Sequence, residues 1–399
     1  MNLFFFLVFG FYFVVMLLLL TGWQQSLAGK SSLRPEAFSP RKITVVVPFR
    51  NEEACIANVI QDLIGQELPP EFVEVILVDD HSADRSSEII FSCLPAVAIT
   101  NSRSEGGPPI VSTSSLGFGG RGRTQFSYAT LPEGREGKKQ AIMLGVEQAG
   151  GEIIVITDAD CRLPIHWLQS FATSFHDGNV KMVFGGVRIT EGKSFFSKLQ
   201  ALEFCSLIGA GAAMAGLGIP LLCNGANLAF LRSAFLEVKG YDGNLDIASG
   251  DDEFLMRKID RRFPGSIRFQ PVGDSVVETR PMESLKAFVG QRLRWAGKWK
   301  HNGSQLSQFT AVFIFVFQTS FLVLWFAPLL NWISELLALF LIAGKMIFEF
   351  TFLFQVGTFL HVRPRLFHFL VLQFLYPFYV MYIGVASLFT SPLWKGRKV

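Results

Sequence analysis

The chain has 399 residues, room for one large domain or two modest ones. Half of it is hydrophobic and 17% is charged, below the ~25% usual for soluble domains, so an ordinary water-soluble composition is excluded. A net charge of +3 is too small to argue for a nucleic-acid partner.

The apolar surplus is clustered. Residues 1–29 carry no charged side chain, and Leu3 to Leu20 is almost wholly apolar, near the ~20 residues a spanning helix needs. A signal peptide would have a basic start, a shorter apolar run and a small-residue cleavage site; the stretch lacks them. It is read as a transmembrane anchor over residues 1–24. Lys30, Arg34, Arg41 and Lys42 follow, so the positive-inside tendency puts the next domain in the cytoplasm. The five cysteines show no CxxC spacing and an odd count, which suits reduced cytoplasmic thiols better than a disulfide framework.

Residues 41–275 read as alternating strands and helices. The runs "KITVVVPF" (42–49), "VEVILVDD" (73–80), "EIIVITDAD" (152–160) and "VKMVFGGV" (180–187) are the expected strands. They are continuously apolar rather than alternating, as in a sheet buried on both faces, and the intervals can hold helices. That pattern is α/β with a mostly parallel, Rossmann-like sheet. Residues 102–126 are rich in Gly and Ser without either period, and are read as a mobile loop inserted in the domain.

Ligands of open α/β sheets bind beyond the carboxyl ends of the strands. Here the first strand runs into "PFRNEE", the second into "VDDHS" and the third into "TDADC". One acidic strand end is commonplace, because Asp caps helices well; three in one sheet ask for a reason. Asp158 and Asp160, two apart, project to the same side if the backbone there is extended. Two hard oxygen ligands suit Mg²⁺ or Mn²⁺, which takes its other ligands from water and substrate phosphates; the alternative is a capped turn before Pro164. Asp79 and Asp80 end the second strand; either Ser82, Asp84 and Ser86 after them cap the next helix, or a carboxylate here accepts hydrogen bonds from a base or ribose. "GDDEFLMRKI" (250–259) opens a helix with three acids, which favour a helix N-terminus; a carboxylate held there can also act as a general base.

Residues 276–303 form an expected amphipathic helix at the membrane interface. It carries "QRLRW", in which Gln291, Arg294 and Trp295 share one face. Arg294 is suited to clamp a diphosphate. Residues 304–390 then hold about three transmembrane segments, the middle one containing Lys345 and Glu349 four apart, where they can pair. Three spans would leave "KGRKV" (395–399) outside, against the positive-inside tendency; a re-entrant last segment and an exception to the rule stay open.

Taken in order, "VVVPFRNEE", "ILVDDHS", "GKK", "TDADC", "NGANLAF", "GDD" and "QRLRW" resemble a membrane-bound family 2 glycosyltransferase of GT-A fold. The resemblance covers about residues 42–300 and extends to poly-N-acetylglucosamine and cellulose synthases and to ceramide-glucosyltransferase-like enzymes. It implies that Pro48, Arg50, Glu52 and Asp80 hold the nucleotide's base and ribose, and that Lys138 or Lys139 lies near the nucleotide-sugar. It further implies Asp158 and Asp160 as metal ligands, Asp252 as catalytic base with Asp251 beside it, and Gln291, Arg294 and Trp295 on the diphosphate and acceptor. Many relatives have Glu-Asp where this chain has Asp251-Asp252, which weakens the choice between them. The implied reaction is an inverting, Mg²⁺- or Mn²⁺-dependent transfer from a nucleotide-sugar, UDP-linked by expectation. The acceptor is a lipid or lipid-linked glycan at the cytoplasmic face of a bacterial inner membrane, with processive polysaccharide synthesis as the alternative. No nucleic-acid partner is expected.

Overall fold

The protein is described from a computed structural model covering residues 2–28, 41–94, 100–102, 110–116, 124–245, 250–297, 304–390, 393–394 and 397–398. In chain order the first half holds α1 (Asn2–Ala28), β1 (Ile43–Phe49), α2 (Ile56–Ile64), β2 (Val73–Asp79), α3 (Ser86–Cys93), β3 (Thr100–Ser102), β4 (Ile110–Leu116), β5 (Thr124–Thr130), α4 (Lys138–Gln148), β6 (Ile153–Ile156), α5 (Trp167–Ser174), β7 (Met182–Phe184) and β8 (Val187–Ile189). It continues with α6 (Phe195–Gly216), β9 (Leu228–Leu231), α7 (Arg232–Glu237), α8 (Asp251–Arg262), β10 (Ile267–Phe269), β11 (Val277–Thr279) and α9 (Leu285–Gly297). The C-terminal helices are α10 (Gln305–Phe326), α11 (Glu335–Phe359) and α12 (Leu366–Phe389), followed by the short strands β12 (Leu393–Trp394) and β13 (Arg397–Lys398). These divide into an α/β unit (Gln25–Arg188 and Gly218–Arg280) and a helical unit (Met1–Gln24, Ile189–Leu217 and Pro281–Val399).

The α/β unit is built on a nine-stranded sheet of order β10-β7-β9-β6-β1-β2-β5-β4-β3. Its centre, β6-β1-β2-β5, is parallel. β9 runs antiparallel between β6 and β7, and β4 antiparallel to β5. Every residue of β1, β2 and β6 is buried, as expected of strands with helices on both faces. Each buried Val or Ile contributes about 1.5–3 kcal/mol relative to exposure.

Three expectations change. β6 ends at Ile156, and Asp158 to Cys161 form a turn in which the Cys161 N–H donates to the Asp158 carbonyl at 3.2 Å. The carboxylates leave the ladder because Asp bonds locally more readily than it extends. The run 180–187 is broken after Phe184, since a Cβ at Gly185 would lie 2.3 Å from the Asn227 side chain; β8 pairs instead with β11. The segment read as a mobile loop contains β4 and the start of β5, paired to each other. Its β-branched and Ser residues satisfy a strand without apolar alternation. Residues 103–109 and 117–123 of that segment lie outside the described residues.

The helical unit contains the four expected apolar helices, α1, α10, α11 and α12, each long and apolar enough to cross a membrane. A fifth, α6, meets the same test but is 67% buried over its apolar window, against 22–28% for the others. Ser194, Ser304 and Ser334 cap α6, α10 and α11 by accepting from the amides three residues on. A Cβ at Gly22 of α1 would lie 2.2 Å from the Ala213 carbonyl of α6, so the missing side chain permits the close crossing. Tyr12 of α1 stacks on Phe317 of α10 at 3.8 Å. The Lys345–Glu349 pair forms at 2.9 Å, and Gln373 of α12 donates to Glu349 at 2.5 Å.

Candidate active site

The polar groups at the ends of β1 and β2 fall into two sets. Asn51 and His81, at φ of 52° and 56°, turn the chain away from the sheet through the left-handed region. Asn51 steadies this turn with its Oδ1, which accepts from the Ala83 N–H at 2.8 Å. Asp79 is taken up by structure, its Oδ1 accepting from the Ser82 N–H and its Oδ2 from the Tyr128 hydroxyl, both at 2.8 Å. Asp80 is 2% exposed, and Arg50 donates to its carbonyl at 2.7 Å and lies 3.9 Å from its carboxylate. The Glu52 N–H donates to Ser86 Oγ at 2.8 Å. Pro48 sits past the last β1–β6 pair, where a missing N–H costs the sheet least. Arg50, just past the end of β1, and Asp80, just past the end of β2, therefore meet.

A second set gathers between the ends of α4, β6 and α8. Lys138, the first residue of α4, places Nζ 2.6 Å from Asp158 Oδ1 and 3.3 Å from Asp251 Oδ2. Burial opposes the Lys138 charge, but Asp158 and Asp251 outweigh it and raise its pKa above the ordinary lysine value. Asp252 accepts from the Gly225 N–H at 3.0 Å on Oδ2 and from the Glu253 N–H at 2.8 Å on Oδ1. A side chain at Gly225 would press on Asp251 Oδ2 at 3.1 Å and Lys138 Nζ at 3.3 Å, so glycine lets the 224–227 turn approach the cluster. The three acids of α8 and its final Arg261 and Arg262 match the helix dipole at both ends.

Of the two candidate lysines, only Lys138 belongs to this cluster. Lys139 is 5% exposed, donates to the Asn244 carbonyl at 2.7 Å, and stands over the Phe254 ring at 4.7 Å. Adjacent helical positions point about 100° apart, so two consecutive lysines do not share a task. Asp158 is partly exposed, and Asp160 Oδ1 lies 3.7 Å from Cys161 Sγ. Burial, then Asp160 and Asp158, push the Cys161 thiol well above its usual pKa, which keeps it protonated.

Beneath the cluster, Asn227 is fully buried. Its Nδ2 donates to the Gly186 and Ser275 carbonyls at 2.8 and 3.1 Å, and its Oδ1 accepts from Trp167 Nε1 at 2.8 Å. Tyr241 is also fully buried; burial, then Asp251 and Asp252, raise its pKa well above the ordinary value. Neither was singled out in the sequence, where "NGANLAF" served only as one motif of the resemblance.

Gln291, Arg294 and Trp295 all lie on α9 of the helical unit. Gln291 and Trp295 both contact Arg292, which the sequence reading passed over. It is 3% exposed and ion-paired with Glu203 of α6, its Nε donating to Glu203 Oε1 at 3.2 Å. Its Nη1 donates to Gln291 Oε1 at 2.6 Å, and its guanidinium lies 4.3 Å from the Trp295 ring centre. Tyr379 of α12 also donates to Glu203, at 3.4 Å. The signal was a lone Glu in an otherwise apolar run.

The donor set can be tested against a divalent cation. Among the described residues no three His, Cys, Asp or Glu side chains converge as a closed metal site. Two hard carboxylates in one turn, one of them already facing a cation, fit an ion that draws its remaining ligands from phosphate and water.

Comparison with known proteins bears on the chain's family and fold. The family described as glycosyl transferase family 2 matches residues 44–108, and that described as glycosyl transferase family 21 matches residues 124–399. The poly-beta-1,6-N-acetyl-D-glucosamine synthase of Staphylococcus aureus (strain COL) is 24% identical over 259 residues, 64% of this chain and 53% of that protein. The N-acetylglucosaminyltransferase of Rhizobium meliloti (strain 1021) is 26% identical over 266 residues, 64% of this chain and 54% of that one. The chain thus spans about half the length of these curated relatives. Among solved structures, mannosyltransferase PcManGT from Pyrobaculum calidifontis, in complex with GDP-Man and Mn²⁺, superposes with a TM-score of 0.50 at 17% identity. That match covers 94% of this chain and 99% of the other, and shows the shared fold. With a family match over more than half its length, the chain belongs to glycosyl transferase family 21.

Proposed function

We propose that the chain transfers a sugar, with inversion, from a nucleotide-sugar to a lipid or lipid-linked acceptor at the cytoplasmic face of a membrane. The observation that carries this reading is the cluster of Lys138, Asp158, Asp251 and Asp252 beyond the carboxyl end of β6, an interior strand of the sheet. The buried Asp80 with Arg50 offers acceptors and a donor for the base and ribose. Asp158 and Asp160 would hold Mg²⁺ or Mn²⁺, which when bound supplies positive charge to the departing diphosphate.

The protein's own groups do the rest. Lys138 adds fixed charge beside Asp158, where the diphosphate charge grows. Asp251 is engaged by Lys138, which makes it the poorer proton acceptor. Asp252, aimed by two backbone amides, takes the acceptor hydroxyl's proton as its oxygen attacks the anomeric carbon from the face opposite the diphosphate. On α9, Arg294 is assigned to the diphosphate, and Gln291 and Trp295 to the acceptor. The five apolar helices support a membrane setting.

A second reading is processive synthesis of a polysaccharide, favoured by the synthase named among the relatives. The test is to incubate membranes containing the full chain and Mn²⁺ with labelled UDP- and GDP-sugars, then separate lipid from polymer. Label in a lipid fraction of discrete size supports the first reading, and a high-mass ladder the second. Label in neither, with every donor intact, contradicts both.

A further inference from the structure

Within the helical unit, a small, partly open surface cleft lies where the first turns of α6 meet the loop joining α11 to α12. Lys198, Arg363, Arg365 and His368 line it, with Glu191 as its one acid. Among the described residues none of the three cations is in an ion pair. Glu191 is occupied otherwise, its Oε1 accepting from the Arg363 backbone N–H at 3.0 Å. The Nδ1 of His368 is buried without a hydrogen-bond partner among the described residues.

The loop that presents the arginines is held firmly. The Val362 N–H donates to the Gly357 carbonyl at 2.8 Å, His361 adopts φ 56°, and a Cβ at Gly357 would strike Pro364 and the Val362 carbonyl at 2.8 Å. This is a helix C-terminus closed by a left-handed residue, with Pro fixing the exit. No side chain caps the first turn of α12, so the positive end of its dipole adds to the field beside Arg365. An anion placed in the cleft would meet two guanidinium groups and an ammonium, with the His368 side chain beside them.

The surroundings decide which anion. Phe195, Leu366 and Phe367 beside the cleft are 43%, 59% and 65% exposed, and Phe195 stacks on the His368 ring at 5.0 Å. The cleft also adjoins the start of α12 and the end of α11, both long and apolar enough to cross a membrane. Exposed apolar rings rimming a basic cleft at the end of such helices suit a molecule that is anionic at one end and hydrocarbon at the other. We propose that this cleft binds the phosphate headgroup of an anionic membrane lipid, whose chains lie along the first turns of α12. The proposal is independent of the sugar-transfer reading.

The test uses the full chain in mild detergent, titrated with phosphatidylglycerol or phosphatidylcholine, with bound lipid counted by native mass spectrometry. Phosphatidylglycerol is expected to bind roughly tenfold more tightly, and Arg363→Gln/Arg365→Gln to lose roughly that preference. The control Arg261→Gln/Arg268→Gln, an equal charge change in the α/β unit, should keep it. Lys198→Gln reads the same preference if the double variant unfolds. Millimolar inorganic phosphate should leave bound phosphatidylglycerol in place. Equal affinity for the two lipids, full binding by the double variant, equal loss in the control, or displacement by phosphate alone would each overturn the proposal.

Discussion

In the α/β unit the cluster at the ends of α4 and β6 keeps contact with water: Lys138 is 21% and Asp158 38% exposed. In the helical unit Glu203 and Arg292 are 5% and 3% exposed, and Lys345 is 2% exposed against Glu349. Charges of the first kind remain available to an incoming diphosphate or metal. Charges of the second kind are paired with each other, Arg292–Glu203 joining α9 to α6 and Lys345–Glu349 lying within α11. The Lys138–Asp158 and Arg292–Glu203 pairs thus use the same kinds of side chain and differ in accessibility.

Three substitutions probe that contrast. Asp252→Asn keeps the shape of the α8 start but removes the proton acceptor, and should lower kcat by about a hundred- to ten-thousandfold. The melting temperature should stay near that of the unmodified chain. A rate within threefold of the original would remove Asp252 from the mechanism. Arg292→Ala leaves Glu203 buried and unpaired, which costs about 3–5 kcal/mol, read as a loss of thermal stability in detergent. The double change Glu203→Gln/Arg292→Met should restore much of that stability without restoring full transfer, because Gln291 and Trp295 lose the guanidinium that positions them. If stability is unmoved by Arg292→Ala, the architectural reading of the pair fails. Lys139→Met removes a buried charged donor and should cost about 1–3 kcal/mol of stability while kcat stays within twofold. A large rate loss there would mean that Lys139 and not Lys138 serves the reaction.

Much of the α/β unit was legible because its strands are unbroken apolar runs ending in acids. β1 and β2 match their sequence limits within about a residue at each end. The limits of that reading are physical. The apolar run at 152–160 was expected to stay extended to its end, but Asp in a turn bonds to its own backbone and the strand stops at Ile156. β4 was missed because "IVSTSSL" is stabilised by pairing with β5, and pairing is not visible in composition. The spans of α1, α10, α11 and α12 were evident from hydropathy, whereas α6 was hidden by Lys198 and Glu203, which interrupt its apolar run. Within the candidate site, Asp158, Asp251 and Asp252 could be named individually. That Lys138 draws Asp158 and Asp251 together, and that Arg292 holds its motif neighbours, required side chains in place.

The central claim is that the Lys138–Asp158–Asp251 cluster receives a metal-bound nucleoside diphosphate, and it can be tested without any turnover. Free Mn²⁺ is followed by electron paramagnetic resonance as the full chain is titrated with UDP or GDP. One nucleotide should draw about one Mn²⁺ per chain out of solution, beyond what nucleotide alone binds. Asp158→Asn should weaken that uptake roughly tenfold or more, each tenfold corresponding to about 1.4 kcal/mol. Undiminished Mn²⁺ uptake in Asp158→Asn would contradict the account.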